Sequence, residues 1–179
     1  MVLKSAPGAS SGAPAVRPAS AADAERVTDI YNQGIVDRSS TFETVPRTAD
    51  DMRRRILDDP SRHPVLVAEC DGVVAGWAGI SLYRPRECYA GVGEFSVYID
   101  RAHRGRGVGR VLLAALIETA EARGYWKLVS RVFPFNAASL ALCRSLGFRE
   151  VGTYEKHGRL DGRWLDVVII ERLIPANQA

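Results

Sequence analysis

Cysteine and lysine are scarce in this chain, with three of each, and long apolar runs are absent. No C-x-x-C pair occurs among the cysteines, and their odd number does not suggest a disulfide framework; they are Cys70, Cys88 and Cys143. The sequence therefore predicts neither structural disulfides nor a zinc site, and a reducing cytoplasm fits best. His63, His103 and His157 show no metal-ligand spacing, so we expect no metal.

The absence of an apolar stretch as long as a membrane helix, which needs roughly 18 residues, excludes a membrane span. Residues 1–15 are rich in Ala, Ser, Gly and Pro without the apolar stretch of a signal peptide, so we expect a disordered N-terminal tail. The net charge is +3, and the basic residues are spread along the chain rather than grouped. We therefore expect neither a nucleic acid nor a membrane as a partner.

What the chain does contain is enough apolar residues, 46% of 179, for one domain with its own core. We place that domain at residues 16–174, followed by a short tail at 175–179. Apolar periodicity and capping residues predict strands and helices in the order β-α-α-β-β-β-α-β-α-β-β. They are strands at 16–19, 65–70, 73–81, 91–99, 126–133, 148–154 and 164–173, and helices at 20–37, 48–59, 107–123 and 136–146. This order predicts an α/β domain in which an antiparallel meander enters a β-α-β unit, and therefore a mixed sheet with helices against it.

The most informative segment is the glycine-rich turn between the third long strand and the helix after it, which reads Arg104-Gly105-Arg106-Gly107-Val108-Gly109-Arg110. Alternate glycines let backbone N–H groups converge on an anion, and the N-terminus of the following helix adds to the attraction. The turn therefore predicts a phosphate site. A glycine-rich connection with a solvated basic cluster is the alternative.

Two familiar phosphate loops do not fit this turn. A Walker loop would end in Gly-Lys-Ser/Thr, which is absent. A Rossmann turn would carry its third glycine at Arg110 and an acid on the next strand, but residues 126–133 contain no acid.

The chain resembles the GCN5-related N-acetyltransferases (GNAT) over residues 16–173. The turn fits the acetyl-CoA signature of that family, which the strand Val97-Tyr98-Ile99, the pair Asn136 and Ser139, and Leu146-Gly147-Phe148 reinforce. Within the family it is similar to phosphinothricin, methionine sulfoximine and arsinothricin N-acetyltransferases. Three stretches carry that likeness: residues 94–99, Tyr83-Arg84-Pro85-Arg86 with Tyr89, and residues 162–166.

The resemblance implies a GNAT fold with a mostly antiparallel sheet of about seven strands and about four helices. It implies acetyl-CoA as co-substrate, with pyrophosphate on the turn and the pantetheine arm along the strand before it. The implied cofactor residues are Val97, Tyr98, Ile99, Arg104, Gly105, Arg106, Gly107, Val108, Gly109, Arg110, Asn136 and Ser139. Asn136 also reads as the N-cap of its helix, and both interpretations stay open.

The resemblance implies Glu94 as the general base that removes a proton from the attacking amine, directly or through water. The alternative is a solvent-facing glutamate on a strand. Arg84 and Arg86, whose guanidinium groups suit a carboxylate, phosphinate or arsinate, are expected to bind the acceptor, with Tyr89 and Phe42 as pocket walls. Exposed arginines on a loop are the alternative.

Cys143 departs from the family, which commonly has Tyr or His at this position. A cysteine there could give a proton to the leaving CoA thiolate or be acylated in a two-step reaction. It could also be a small buried apolar residue.

The sequence therefore predicts an N-acetyltransferase that acts on the α-amine of a small amino acid or toxic analogue by direct attack. We expect a homodimer, from the resemblance alone. Two alternatives are an enzyme for another amine, such as a protein N-terminus or a polyamine, and a non-catalytic CoA-binding module.

Overall fold

The structure, a computed structural model, describes residues 13–178. Of the tail expected at residues 1–15, residues 1–12 lie outside the described residues. Strand β1 begins at Ala15, one residue earlier than predicted. The strands are β1 Ala15–Pro18, β2 Val65–Cys70, β3 Val73–Leu82, β4 Val92–Ile99, β5 Lys127–Val132, β6 Arg149–Leu160 and β7 Arg163–Leu173. The α-helices are α1 Ala24–Asp37, α2 Ala49–Leu57, α3 Val108–Ala122 and α4 Ala137–Ser145.

The strands form one sheet in the order β1-β2-β3-β4-β5-β7-β6. The neighbours β4 and β5 are parallel, joined by the crossover helix α3, and the other neighbouring strands run antiparallel. The predicted mixed, mostly antiparallel sheet of about seven strands with four helices is thus confirmed.

Helices cover both faces of this sheet. On one face, Leu112 and Leu116 of α3 are fully buried in a core that includes Phe95 of β4. On the other face, Ile30 of α1 packs in a cluster with Trp77 of β3. Because side chains alternate along a strand, Phe95 points toward α3, whereas residues 94, 96 and 98 point toward α1 and α2.

Strands β4 and β5 separate soon after they begin. Their parallel pairing is limited to Val92, Gly93 and Glu94 on β4, opposite residues 127–129 on β5. Beyond Glu94, the edge of β4 that faces β5 therefore has no strand partner. This fork lies directly before the glycine-rich turn.

Local signals placed most element boundaries correctly. The capping box of α2 is present, since Thr48 Oγ1 accepts from Asp51 N at 3.2 Å and Asp51 Oδ2 accepts from Thr48 N at 2.9 Å. The predicted tight turn between β2 and β3 is confirmed, with positive φ at Asp71 and Gly72.

One strand is longer than predicted. Strand β6 continues to Leu160 instead of ending at Tyr154. Its register against β7 shifts between Tyr154 and Gly158, where Lys156 has φ +48 and its N–H donates to Asp166 Oδ1 at 2.7 Å. This β-bulge contains residues 155–157, which were predicted to follow the strand. Strand β6 then continues to the turn at residues 161–162.

Candidate active site

The glycine-rich segment forms an open cradle at the N-terminus of α3. Gly105 and Gly107 have φ +74 and +80, a region that favours glycine, and Gly107 is the N-cap of α3. The Gly107 carbonyl accepts from the N–H groups of Arg110 at 3.0 Å and Val111 at 3.2 Å. The N–H groups of Val108 and Gly109 precede these bonds and have no intrahelical acceptor, and a Cβ at either glycine of positive φ would meet no atom within 4 Å. This geometry fits an anion such as the pyrophosphate of CoA.

A buried carboxylate, Asp100, fixes the position of this cradle. It accepts from Arg26 Nη2 at 2.7 Å and Gln33 Nε2 at 2.8 Å, both on α1, and from the N–H of Ala102 at 2.9 Å. Arg26 and Gln33 bind Oδ2, whereas the Ala102 N–H and the ring of His103, at 3.0 Å, contact Oδ1. Burial raises the pKa of Asp100, but the hydrogen bonds from Gln33, His103 and Arg26 outweigh it and hold the pKa well below its usual range. Sequence reasoning missed this residue.

A groove of about 530 Å³ runs from the cradle along β4 to α4. All predicted cofactor residues except Arg106 line it: Val97, Tyr98, Ile99, Arg104, Gly105, Gly107, Val108, Gly109, Arg110, Asn136 and Ser139. Arg106 is exposed and lies outside this lining. The structure thus brings together in one groove residues that are up to 42 positions apart, from 97 to 139.

Helix α1 and the two serines after it contribute groove residues that sequence reasoning missed. Gly34, Ser39 and Ser40 line the groove, and a Cβ at Gly34 would lie 2.5 Å from Ser40 Oγ and 3.1 Å from Tyr98 Cε1. Glycine therefore permits the close approach of α1 to Tyr98. Ser40 Oγ is buried without a hydrogen-bond partner among the described residues.

The two arginines that line the cradle are held by neighbours. Arg104 Nη2 lies 3.1 Å from Asp37 Oδ2, and Arg104 Nε donates to the carbonyl of Ile99 at 3.2 Å. Arg110 Nη1 donates to Ser145 Oγ at 2.9 Å. Both guanidinium groups add positive charge beside the cradle, which suits a phosphate ligand.

Glu94 is the last residue of β4 that pairs with β5, so it lies at the base of the fork. Its carboxylate Oε1 accepts from Arg131 Nε of β5 at 3.1 Å, and its carbonyl accepts from Ser81 Oγ at 3.2 Å. A small cavity of about 80 Å³ occupies the fork and is lined by Ser96 and Tyr98 as well as by Arg131. Glu94 is therefore held beside the place where an extended chain would add to the free edge of β4.

Asn136 has two partners at the start of α4. Its Oδ1 accepts from the N–H of Ser139 at 3.2 Å, which is the N-cap bond, and its Nδ2 donates to the carbonyl of Ser39 at 3.1 Å. The capping role is thus present in the structure, and Asn136 also lines the groove.

Cys143 lies in the core rather than on the groove surface. It is 4% exposed and belongs to the apolar cluster beneath α3 and α4. Burial raises the pKa of its thiol to about 12. These surroundings favour the structural interpretation over acylation.

The four predicted acceptor residues do not come together. Phe42 packs edge-on against Phe133, with ring centroids 4.9 Å apart, and touches the backbone of β6 at Gly158. Arg84 and Arg86 are exposed on the connection after β3, where Arg84 stacks over the ring of Tyr83 at 5.4 Å. Tyr89 lies beside the same ring. Neither these arginines nor Tyr89 line the groove, the fork or the second cavity described next.

That second cavity, of about 510 Å³, lies between α2 and the sheet. We call it the α2 cavity. Its lining includes Ser96 and Tyr98 of β4, which also line the fork, and Arg55 of α2. The remaining lining residues are Tyr31, Glu43, Arg47, Asp51, Met52, Asp58, His63, Ile80, Ser81 and Leu82. Sequence reasoning missed Arg55, because it sits in a run of three arginines that reads as a solvated helix face.

Within residues 13–178, no group of three His, Cys, Asp or Glu side chains is arranged to hold a metal ion. Over the same residues, no helix has the length and apolar character needed to cross a membrane.

Comparison with known proteins gives a consistent result. The model of the acetyltransferase (GNAT) family matches residues 29–148. The chain is 35% identical to an L-methionine sulfoximine/L-methionine sulfone acetyltransferase of Salmonella typhimurium, over 87% of this chain and 92% of that protein.

Two solved structures are similar over nearly the same span. A GNAT-superfamily phosphinothricin acetyltransferase from Sinorhizobium meliloti, in complex with acetyl-CoA, has a TM-score of 0.85 at 31% identity, covering 90% of this chain and 88% of that one. A ribosomal-protein-alanine N-acetyltransferase from Brucella melitensis has a TM-score of 0.84 at 37% identity, covering 89% of this chain and 99% of that one.

Proposed function

Because the chain belongs to the GNAT family and is an acetyl-CoA-dependent N-acetyltransferase, we propose that its acceptor is the α-amine of a small amino acid or toxic analogue. The analogues are of the phosphinothricin, methionine sulfoximine or arsinothricin type. The observation that carries the proposal is the position of Glu94, a carboxylate at the base of the fork, whose neighbours Ser81 and Ser96 line the α2 cavity. The likeness to enzymes named for methionine sulfoximine and phosphinothricin supports the acceptor class.

The reaction we propose is direct attack of the amine on a thioester carbonyl. When bound, acetyl-CoA supplies its acetyl group as a reactive thioester. The N–H groups at the start of α3 hold the pyrophosphate, and the free edge of β4 from Val97 to Ile99 pairs with the pantetheine arm. Glu94 removes a proton from the acceptor ammonium group, directly or through water, so that the amine can attack. As the C–N bond forms, the thioester C–S bond breaks, and CoA leaves as a thiolate that takes up a proton.

Arg84, Arg86, Tyr89 and Phe42 remain proposed acceptor residues. Only Phe42 lies beside the fork, since it packs against Phe133, which lines it. The exposure of Arg84 and Arg86 is compatible with a role that requires the connection between β3 and β4 to fold over the site. Loss of activity in Arg84→Ala or Arg86→Ala, with CoA binding kept, would support that role, and unchanged activity would exclude it.

A protein N-terminus is a second candidate acceptor, which the likeness to a ribosomal-protein-alanine N-acetyltransferase favours. The arginines around the site disfavour a polyamine, because cations would repel one another. A non-catalytic CoA-binding module is disfavoured by the carboxylate at the fork.

The test is a thiol-release assay over an acceptor panel. It includes phosphinothricin, methionine sulfoximine, methionine sulfone, arsinothricin, the standard amino acids, a peptide with N-terminal alanine and a polyamine. We expect acetylation of one or more of the free amino acids. Activity on the peptide alone would select the second candidate. Binding of acetyl-CoA without acetylation of any compound on the panel would refute the proposed acceptor class.

We also propose that the enzyme is a cytoplasmic homodimer. The scarcity of cysteine supports the compartment. Exposed apolar side chains near the end of the sheet, among them Val151, Tyr154 and Trp164, support a subunit contact. Sedimentation at micromolar concentration should show a species of twice the chain mass, and a single monomeric species would refute the dimer.

A further inference from the structure

Arg55 is a partly buried cation at the α2 cavity that forms no ion pair within residues 13–178. Its side chain extends from α2 toward β3, where Nη2 approaches Gly79 and the guanidinium stacks over the ring of Trp77 at 5.4 Å. Both Nε and Nη2 are shielded from solvent, and neither has a hydrogen-bond partner among residues 13–178. A guanidinium group in this position is costly to leave unpaired, because it stays protonated even when buried.

Of the three carboxylates that line the cavity, Glu43 and Asp51 are engaged elsewhere, and Asp58 forms no ion pair with Arg55. Glu43 binds Arg47 through two contacts of 2.7 Å, and Asp51 accepts from the Thr48 N–H in the capping box of α2. Burial lowers the pKa of Arg55, in agreement with a cation that the protein itself does not neutralise.

The α2 cavity connects this cation to the reaction site. Ser96 and Tyr98 line both the cavity and the fork, and they share a face of β4 with Glu94. An amino acid whose acid group lies at Arg55 would therefore direct the rest of the molecule toward the base. The volume, about 510 Å³, is sufficient for a small amino acid.

We propose that Arg55 binds an oxyanion of the acceptor, either its α-carboxylate or an acidic side-chain group, and so selects amino acids over simple amines. This inference rests on the proposed function. It assigns the acid-binding role to a helix residue inside a cavity, in addition to the exposed arginines after β3.

The test compares Arg55→Met and Arg55→Lys with Arg54→Met, a neighbouring exposed arginine on α2. Two acceptor pairs are used: methionine sulfone with its α-carboxamide, and phosphinothricin with its α-carboxamide. If Arg55 binds the α-carboxylate, the KM of Arg55→Met for methionine sulfone should rise at least tenfold; if it binds the side-chain group, that rise should occur for phosphinothricin alone. In both cases we expect little change in kcat or in the KM for acetyl-CoA. Arg55→Lys should keep part of the affinity, and Arg54→Met should behave as the wild type.

The carboxamides identify which oxyanion Arg55 binds. If it binds the α-carboxylate, Arg55→Met should not weaken either carboxamide further. If it binds the side-chain group, the phosphinothricin carboxamide should still lose affinity on substitution while methionine sulfone is unaffected. An equal loss for charged and neutral acceptors would overturn the inference.

A stability measurement separates binding from a structural role. Without ligand, Arg55→Met should unfold at the same or a higher temperature, since it removes an unpaired buried charge. A lower unfolding temperature with an equal loss for all acceptors would identify a structural residue instead.

Calorimetry with methionine sulfone and phosphinothricin keeps the two proposals distinguishable. If the wild type acetylates neither compound but binds one of them, and Arg55→Met does not, the acceptor assignment fails and the oxyanion site stands. If the wild type acetylates amino acids with no dependence on Arg55, only the oxyanion site fails. If it neither binds nor acetylates either compound, both fail.

Discussion

Glu94 and Arg131 form an ion pair across the point at which β4 and β5 separate. Arg131 Nε lies 3.1 Å from Glu94 Oε1, and Glu94 is the more shielded partner, with 23% of its side chain exposed against 47% for Arg131. The pair holds the carboxylate at the fork by a contact between strands rather than by local sequence. The carboxylate that we propose as the base is thus held in place by the protein itself.

Replacing the Glu94 carboxylate with an amide should remove the proposed proton acceptor without displacing the side chain. In Glu94→Gln the amide oxygen can still accept from Arg131, so the side chain stays in place but cannot take a proton. We expect kcat/KM for the acceptor to fall by about 10²–10⁴-fold, the usual contribution of a general base. Steady-state kinetics across the pH range, with acetyl-CoA affinity measured in parallel, checks this.

The control for this experiment is Glu118→Gln, on the exposed face of α3, which should match the wild type. If Glu94→Gln turned over at the wild-type rate at every pH, Glu94 would not be the base.

The cradle can be tested through two glycines with the same backbone requirement. Gly107 and Gly124 have φ +80 and +78, and at neither would a Cβ meet an atom within 4 Å, so valine there causes backbone strain without a clash. The strain costs about 1–3 kcal/mol at each position. Gly107→Val should also weaken CoA binding by about 100-fold or more, because it displaces the N–H groups that hold the pyrophosphate.

Gly124→Val is the matched control at the other end of α3. It should lose a similar amount of stability and keep its affinity for CoA. Calorimetry with CoA and thermal unfolding of both variants decide the matter. Wild-type affinity in Gly107→Val would contradict the cradle.

The parts of the fold that the sequence predicts correctly are those encoded by local signals. The alternate glycines predicted the cradle, and two of them have positive φ in the structure. The apolar spacing of Leu112 and Leu116 predicted the helix that follows. The order of these elements was enough to predict the parallel pair β4 and β5. The residues expected at the cofactor came from the resemblance to the GNAT family, and all of them except Arg106 line one groove.

The residues that sequence reasoning missed are defined by contacts between distant segments. Asp100 binds Arg26 and Gln33, which lie 74 and 67 positions away. In the sequence, Arg55 is one of three consecutive arginines on a helix that is expected to be exposed. Only the packing of α2 on β3 shows that two of its guanidinium nitrogens are shielded from solvent. The acceptor side of the site was therefore less predictable than the cofactor side.

Cys143 should not be needed for chemistry. Burial raises its thiol pKa to about 12, so at neutral pH it holds almost none of the thiolate that acylation requires. Cys143→Ala should keep kcat within a few-fold and lose about 1 kcal/mol of stability from the smaller core side chain. Initial-rate kinetics should give intersecting double-reciprocal lines for wild type and variant.

Two results would contradict this prediction. Parallel lines, together with an acetylated wild-type protein in mass spectrometry, would establish a two-step reaction through the thiol. A large fall in kcat in Cys143→Ala, with CoA binding kept, would restore the proton-donor role.

Acid stability should depend on the buried carboxylate Asp23. Arg17 contacts it through two nitrogens at 2.8 and 2.9 Å, and this pairing, with the N–H of Ser20, holds the pKa of Asp23 well below its usual range despite burial. The carboxylate therefore contributes stability at neutral pH, on the order of 2–3 kcal/mol. Below about pH 4 the unfolded chain takes up this proton before the folded one does, so that stability is lost as the pH falls.

In Asp23→Asn, the free energy of unfolding should be lower than in the wild type at pH 7, and the difference should shrink progressively below about pH 4. Denaturant unfolding at several pH values measures it. Asp29→Asn, on the exposed side of α1, is the control and should leave the pH dependence unchanged. Because Asp100 also has a lowered pKa, the variant should keep part of its acid sensitivity. A difference that stayed constant from pH 7 to pH 3 would show that Asp23 stabilises the fold by its shape rather than by its charge.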